Sequence, residues 1–390
     1  MKMPWDKPPP PSGPISEPLD PSTLMMLAAG VLGVSLVARM VFPAIKGKLP
    51  KGAPDGVALL LFFLFWYVGN AVYNQYNTMA LAAAGGKYGG LTMTVSTMQL
   101  GMCALYALVL WLAKVNPIKL CGLQSPEAMD VPKMTGSDVA ATTAVGFCSA
   151  AAHSAGVFCL GADPLFGQIV KAGEPVLSAL VNTVFYGKAP TLPKTICLFF
   201  IVAGVAFASL KKDEFGDYKL KFDERALIFG MIGNAFAAFK GSENKKLMED
   251  KELKKRFGGV ANQFAVTEIL AFLISLPVMI ATEGHKWGEF VHLLQTSREL
   301  QVGLAVSGLS FYLYNELATM TIKATGAVTS SVANTAKRVI VMVWMAAVTG
   351  KVLTDEQKIG AGVAITFVLI YSVIDDVLKA LNGGDKKKKA

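Results

Sequence analysis

"GADPLFGQIVKAGEPVLSALVNTVFYGKAPT" (residues 161–191) and "GAVTSSVANTAKRVIVMVWMAAVTGKVLT" (residues 326–354) are two versions of one pattern. Each opens on Gly-Ala, places a cation in its first half and closes with an apolar run into Gly-Lys. Gly161 and Gly326 stand 165 positions apart, and Gly187 and Gly350 stand 163 apart. Counting bilayer-length apolar stretches puts the two copies in the fourth and ninth of ten spans. The repeat unit is then five helices. An odd number of spans makes the second copy insert upside down, the inverted arrangement in which transporters hold substrate near the midplane between the two copies.

The composition agrees with lipid as the solvent. Of 390 residues, 53% are hydrophobic and 17% charged, and the mean hydropathy is +0.46. Soluble domains carry about 25% charged residues. The predicted spans are 57–80, 90–113, 137–160, 163–186, 191–210, 225–244, 260–282, 299–322, 327–349 and 355–380. The expected fold is an all-α polytopic membrane protein of ten transmembrane helices, arranged as two inverted five-helix repeats, 56–210 and 225–380. Residues 1–22 are rich in proline and read as disordered. Residues 23–43 form one more hydrophobic stretch, either an extra anchor helix or the remnant of a leader. Residues 381–390 are a basic tail.

The formal net charge of +9 is spread over loops and that tail, where topology and anionic lipid explain it, so no nucleic-acid partner is expected. The densest basic clusters, 244–259 and Lys386–Lys389, put the even-numbered loops and the C-terminus on the cytosol-like side. The five cysteines form no CxxC pair, and the three histidines are scattered, so neither a metal nor a cofactor is expected. An intramembrane enzyme needs a nucleophile with its base or a metal-ligand set at membrane depth. Neither HExxH nor GxSxG occurs.

Three cations stand inside this apolar frame. Lys171 falls in the fourth span, and Lys337 and Arg338 fall in the corresponding zone of the ninth. Each costs about 2.5–3.5 kcal/mol at a lipid-embedded helix centre. The Lys337–Arg338 pair sits about 15 Å from either end of its span, too deep for easy snorkelling. Glu174, three residues beyond Lys171, is placed to neutralise that lysine on one helix face. An excess of positive charge remains, which calls for a wet cavity or an anionic ligand. Arginine offers a planar fork and lysine a point charge, so a compact oxyanion such as phosphate suits them.

Polar neighbours extend the candidate site. Ser330, Asn334, Lys337 and Arg338 form one stripe on the ninth span. Gln168 shares a face with Lys171, and Pro175 is expected to kink the fourth span one turn later. Lys240 near the end of the sixth span either lines the pathway or snorkels, and Tyr314 needs a partner for its hydroxyl. His153 reads chiefly as a helix-contact residue.

With "KAGEP" (171–175), "YNELAT" (314–319) and "GAVTSSVANTAKRVIV" (326–341) in these places, the chain resembles the plastid phosphate translocator family of the drug/metabolite transporter superfamily. The resemblance covers most of residues 57–380. It implies strict exchange of inorganic phosphate for phosphorylated three-, five- or six-carbon compounds, such as triose phosphate or 3-phosphoglycerate, across a plastid envelope. It implies that Lys171, Lys337 and Arg338 grip the phosphate and that Tyr314 contacts the rest of the substrate. Lys240 matches a basic position of the family only approximately. "AAHSAGVF" sets His153 about one position out of register and offers Ser154 where the family has threonine. Membrane lipids are the expected surroundings, with the chain a monomer or homodimer. The rival reading is a nucleotide-sugar antiporter of the same superfamily in the ER or Golgi, which the tail "KKKKA" favours slightly.

Overall fold

The computed structural model describes residues 53–113, 130–212, 218–220, 222–350 and 353–387. The proline-rich start and the hydrophobic stretch at 23–43 lie outside these residues. In lipid, backbone amides and carbonyls have no water to bond, so apolar runs of this length resolve into helices. In chain order they are α1 (Ala53–Ala83), α2 (Gly86–Gly89), α3 (Thr92–Ala113), α4 (Gly136–Ala162), α5 (Pro164–Ala172), α6 (Glu174–Tyr186) and α7 (Leu192–Ala208). Then come α8 (Glu224–Glu249), α9 (Lys251–Phe257), α10 (Val260–Glu283), α11 (Trp287–Thr296), α12 (Arg298–Thr349) and α13 (Asp355–Lys387). Among the described residues, four stretches are long and apolar enough to cross a membrane: Thr92–Leu112, Gly136–Ala162, Val260–Thr296 and Asp355–Asp375.

Local chemistry sets the helix ends. Thr135 and Asp138 form a reciprocal capping box at the start of α4, and Asp163, Asp223 and Ser297 cap α5, α8 and α12. The segment after α7, expected as a plain loop, folds into a small antiparallel hairpin of β1 (Leu210–Lys212) and β2 (Tyr218–Leu220). It is short and charged, lies between two helix ends, and meets its backbone bonds by pairing with itself. At the other end, α13 carries helix through the first part of the expected tail, to Lys387.

The predicted break between spans at 323–326 is absent as a loop, because α12 is one helical run of 52 residues. It is not straight. Straight, it would hold Tyr314 and Lys337 about 35 Å apart at 1.5 Å per residue. Instead both line one cavity. Tyr314 packs on Gly69 of α1, and Lys337 lies over the Trp66 ring one turn away, 5.4 Å from its centroid. The run therefore doubles back between Tyr314 and Lys337, giving two arms side by side.

The halves of the chain interleave. α1 packs on α12, α3 and α4 on α10, α4 on α8, and α7 on α13. The α7–α13 crossing is the tightest. A methyl group on Gly204 would stand 2.7 Å from Gly360 O, and one on Gly360 would stand 2.4 Å from Gly204 O. Only residues without a side chain let the two backbones approach so closely. The largest buried cluster joins Trp66 and Tyr73 of α1, Leu100 of α3, Phe264 of α10, and Phe311 and Tyr312 of α12.

Candidate functional site

Between α1, α4, α5, α6, α8 and α12 lies a cavity of ≈ 180 Å³. Its wall is Asn70, Tyr73, Asn74, Ala152, Gln168, Lys171, Glu174, Gly233, Asn234, Ala237, Tyr314, Lys337, Arg338 and Val341. Five sequence-derived candidates thus meet in one space: Gln168, Lys171, Tyr314, Lys337 and Arg338.

A helix break brings Lys171 there. Gly173 ends α5, and Pro175, in the first turn of α6, has no N–H to continue the ladder. The Val170 carbonyl beside the break accepts from Gly173 N at 3.0 Å and from Asn234 Nδ2 of α8, also at 3.0 Å. Lys171 thus lies in the last turn of one helix and Glu174 opens the next. Glu174 accepts instead from the Arg338 guanidinium across the cavity. This differs from the pairing expected with Lys171, and the broken helix is the reason.

Among the described residues, Lys171 and Lys337 have neither an ion-pair nor a hydrogen-bond partner. Lys337 has only the face of Trp66, worth about 0.5–2 kcal/mol. A methyl group on Gly156 would reach within 3.2 Å of Lys171 Nζ, so glycine leaves room for that ammonium. Three cations against one carboxylate leave two uncompensated positive charges on the wall. The same lining supplies neutral dipoles, with Gln168 Nε2 donating to Asn74 Oδ1 at 2.7 Å and Asn74 Nδ2 to Asn70 O at 2.7 Å. An anion of charge two would be neutralised by the cations and still find hydrogen-bond donors and acceptors around its remaining atoms.

The remaining candidates lie outside the lining. His153 is buried against Tyr73 and Phe311, its Nε2 3.1 Å from Gln99 Oε1, and Gln99 Nε2 donates onward to Asn77 and Ser307. Ser154 Oγ accepts from Ser96 Oγ at 2.9 Å. Asn334 is half-buried on the returning arm of α12. Lys240 donates to Ser149 Oγ at 2.9 Å and stands 3.7 Å from Glu268. Sequence reasoning passed over Asn70, Tyr73, Asn74 and Asn234. For the first three a signal existed, since in "GNAVYNQYN" (69–77) polar residues recur at helical spacing along one face.

Together these features define a polytopic α-helical membrane protein with a cationic, polar cavity inside its bundle. The chain belongs to the Triose-phosphate Transporter family, whose sequence profile matches residues 57–372. It is 28% identical over 335 residues to phosphoenolpyruvate/phosphate translocator 3, chloroplastic, of Oryza sativa subsp. japonica, covering 84% of this chain and 76% of that one. It is 27% identical over 320 residues to the chloroplastic triose phosphate/phosphate translocator of Brassica oleracea var. botrytis, covering 80% and 70%. With glucose-6-phosphate/phosphate translocator 2, chloroplastic, of Arabidopsis thaliana it shares 26% identity over 317 residues, covering 80% and 74%.

Proposed function

We propose that the protein is an antiporter of a plastid envelope membrane, exchanging inorganic phosphate for phosphorylated metabolites of three, five or six carbons. One observation carries this reading: Lys171 and Lys337, neither with an ion-pair partner among the described residues, share a cavity with Arg338 in a chain of this family. Phosphate binds to Lys171, Lys337 and Arg338, and the organic part lies toward Tyr314 and the asparagines of α1. The chain works as two inverted five-helix repeats, 56–210 and 225–380. In support, exchanging corresponding spans of the two copies turns the α1–α12 packing into the α4–α8 packing and returns the α7–α13 and α3–α10 pairs to themselves.

The charge balance explains obligatory exchange. An empty cavity with two uncompensated charges resists closing into a dry state, because desolvating them costs several kcal/mol each. Bound phosphate dianion removes that cost, so the loaded carrier crosses and the empty one stays. The test is uptake of labelled phosphate into liposomes carrying the purified protein. Phosphate-loaded liposomes should accumulate label and empty ones should not. Competition by triose phosphate, and none by a nucleoside monophosphate, separates this reading from a nucleotide-sugar antiporter. Equal uptake with and without internal phosphate refutes the coupling.

A further inference from the structure

A second group of charges, unused by the phosphate site, adjoins the cavity. Glu268 of α10 is 0% exposed. Its Oε1 accepts from Ser149 Oγ of α4 at 3.0 Å, while Oε2 has no hydrogen-bond partner among the described residues. Lys240 of α8 donates to the same Ser149 Oγ at 2.9 Å and stays 3.7 Å from Glu268 Oε1. The hydroxyl therefore sits between ammonium and carboxylate, and the Lys240 side chain keeps 28% exposure. Ser149 lies one turn before Ala152 and Lys240 one turn after Ala237, both of which line the cavity. The other titratable groups within electrostatic reach of Glu268 are Cys103 of α3 and Tyr312 and Tyr314 of α12. Thiols and phenols are largely neutral near neutral pH, so Lys240 is the charge that faces this carboxyl.

A buried carboxylate oxygen without a donor is costly, and a proton relieves the cost. We propose that Glu268, with Ser149 and Lys240, is a proton-binding site that lets the carrier exchange a trianionic phosphorylated acid for a phosphate dianion. This rests on the phosphate-exchange reading above. Protonating Glu268 leaves Lys240 uncompensated and adds one positive charge beside the cavity. A ligand with one more negative charge then binds better, and by reciprocity that ligand raises the proton affinity of Glu268. Trianion and proton cross together with the net charge of a dianion, and the proton leaves when the acid leaves.

The experiment uses the full chain in weakly buffered liposomes at about pH 8, above the second ionisation of a phosphate monoester. Phosphate and a fluorescent pH indicator are trapped inside, and phosphoenolpyruvate is added outside. Acidification of the lumen by about one proton per phosphoenolpyruvate taken up, with no membrane potential, is the expected result. In E268Q the added charge is permanent, so acidification disappears and the exchange makes the lumen negative, while phosphate–phosphate exchange persists with a lower KM and a slower maximal rate. No phosphoenolpyruvate uptake, uptake without acidification, or equal acidification in E268Q overturns the proposal. Failure of phosphate–phosphate exchange in the unmodified protein would instead refute the function proposed above. If E268Q does not fold, Ser149→Ala removes the bridge and keeps the carboxyl. It should lower the protons moved per phosphoenolpyruvate, and an unchanged ratio overturns the proposal.

Discussion

Arg338 donates a hydrogen bond to Glu174 across the cavity, from the returning arm of α12 to the first residue of α6. This contact makes a carboxylate part of an anion site, and it sets the site's charge at two rather than three. Replacing Glu174 by Gln raises that charge. The expected result is a lower KM for phosphate together with slower maximal exchange, because the tighter complex releases its ligand less readily. Initial rates against external phosphate in loaded liposomes check both numbers, and an unchanged KM would count against the role given to Glu174.

Lys171→Ala and Lys337→Ala each remove an uncompensated cation. Losing one member of a desolvated charge pair costs about 2–5 kcal/mol, so phosphate exchange should fall by roughly 30-fold or more. Both variants should still reach the membrane, since each removes a buried charge rather than a packing residue. Exchange assayed beside the yield of monodisperse protein separates the two effects.

Trp66→Leu removes the ring face over Lys337 and leaves space in the buried cluster behind it, so stability is measured beside binding. A loss of about 0.5–2 kcal/mol is expected in phosphate binding, well below that of Lys337→Ala. Binding of phosphate to the purified protein, followed by thermal shift, reads the difference.

Gly204→Val drives a branched side chain into the α7–α13 crossing, where even a methyl group would stand 2.7 Å from Ala364 N. The helices must separate, at a cost of several kcal/mol in packing. The variant should unfold at a markedly lower temperature in detergent, while Gly362→Ala, with nothing within 4 Å of the added methyl, should not.

Much of the site was legible before any coordinates because charge in an apolar helix is conspicuous. Lys171, Lys337 and Arg338 stood out by their cost in lipid, and the shared pattern around them linked two distant segments. What stayed hidden depended on direction. Glu174 and Lys171 are three apart, and the spacing rule for helix neighbours holds only along an unbroken helix, whereas Gly173 ends one here. Lys240 was open to two readings, lining the pathway or snorkelling, and its hydrogen-bond partner is Ser149, 91 residues earlier in the chain. The return of α12 upon itself was legible as two consecutive spans, 299–322 and 327–349. What the sequence did not show is that helix continues through the turn.

The Asn234 side chain, which donates to the Val170 carbonyl beside the break in the fourth span, has a consequence for how the molecule can be cut. The first half carries a gap in its hydrogen-bond ladder, and the second half brings the plug. A fragment ending before α8 would leave that carbonyl without its side-chain donor and would lack the helices that cover α1, α4 and α7. In this chain the two halves are lock and key to each other. Produced as two separate polypeptides, they should function only when made together in the same membrane.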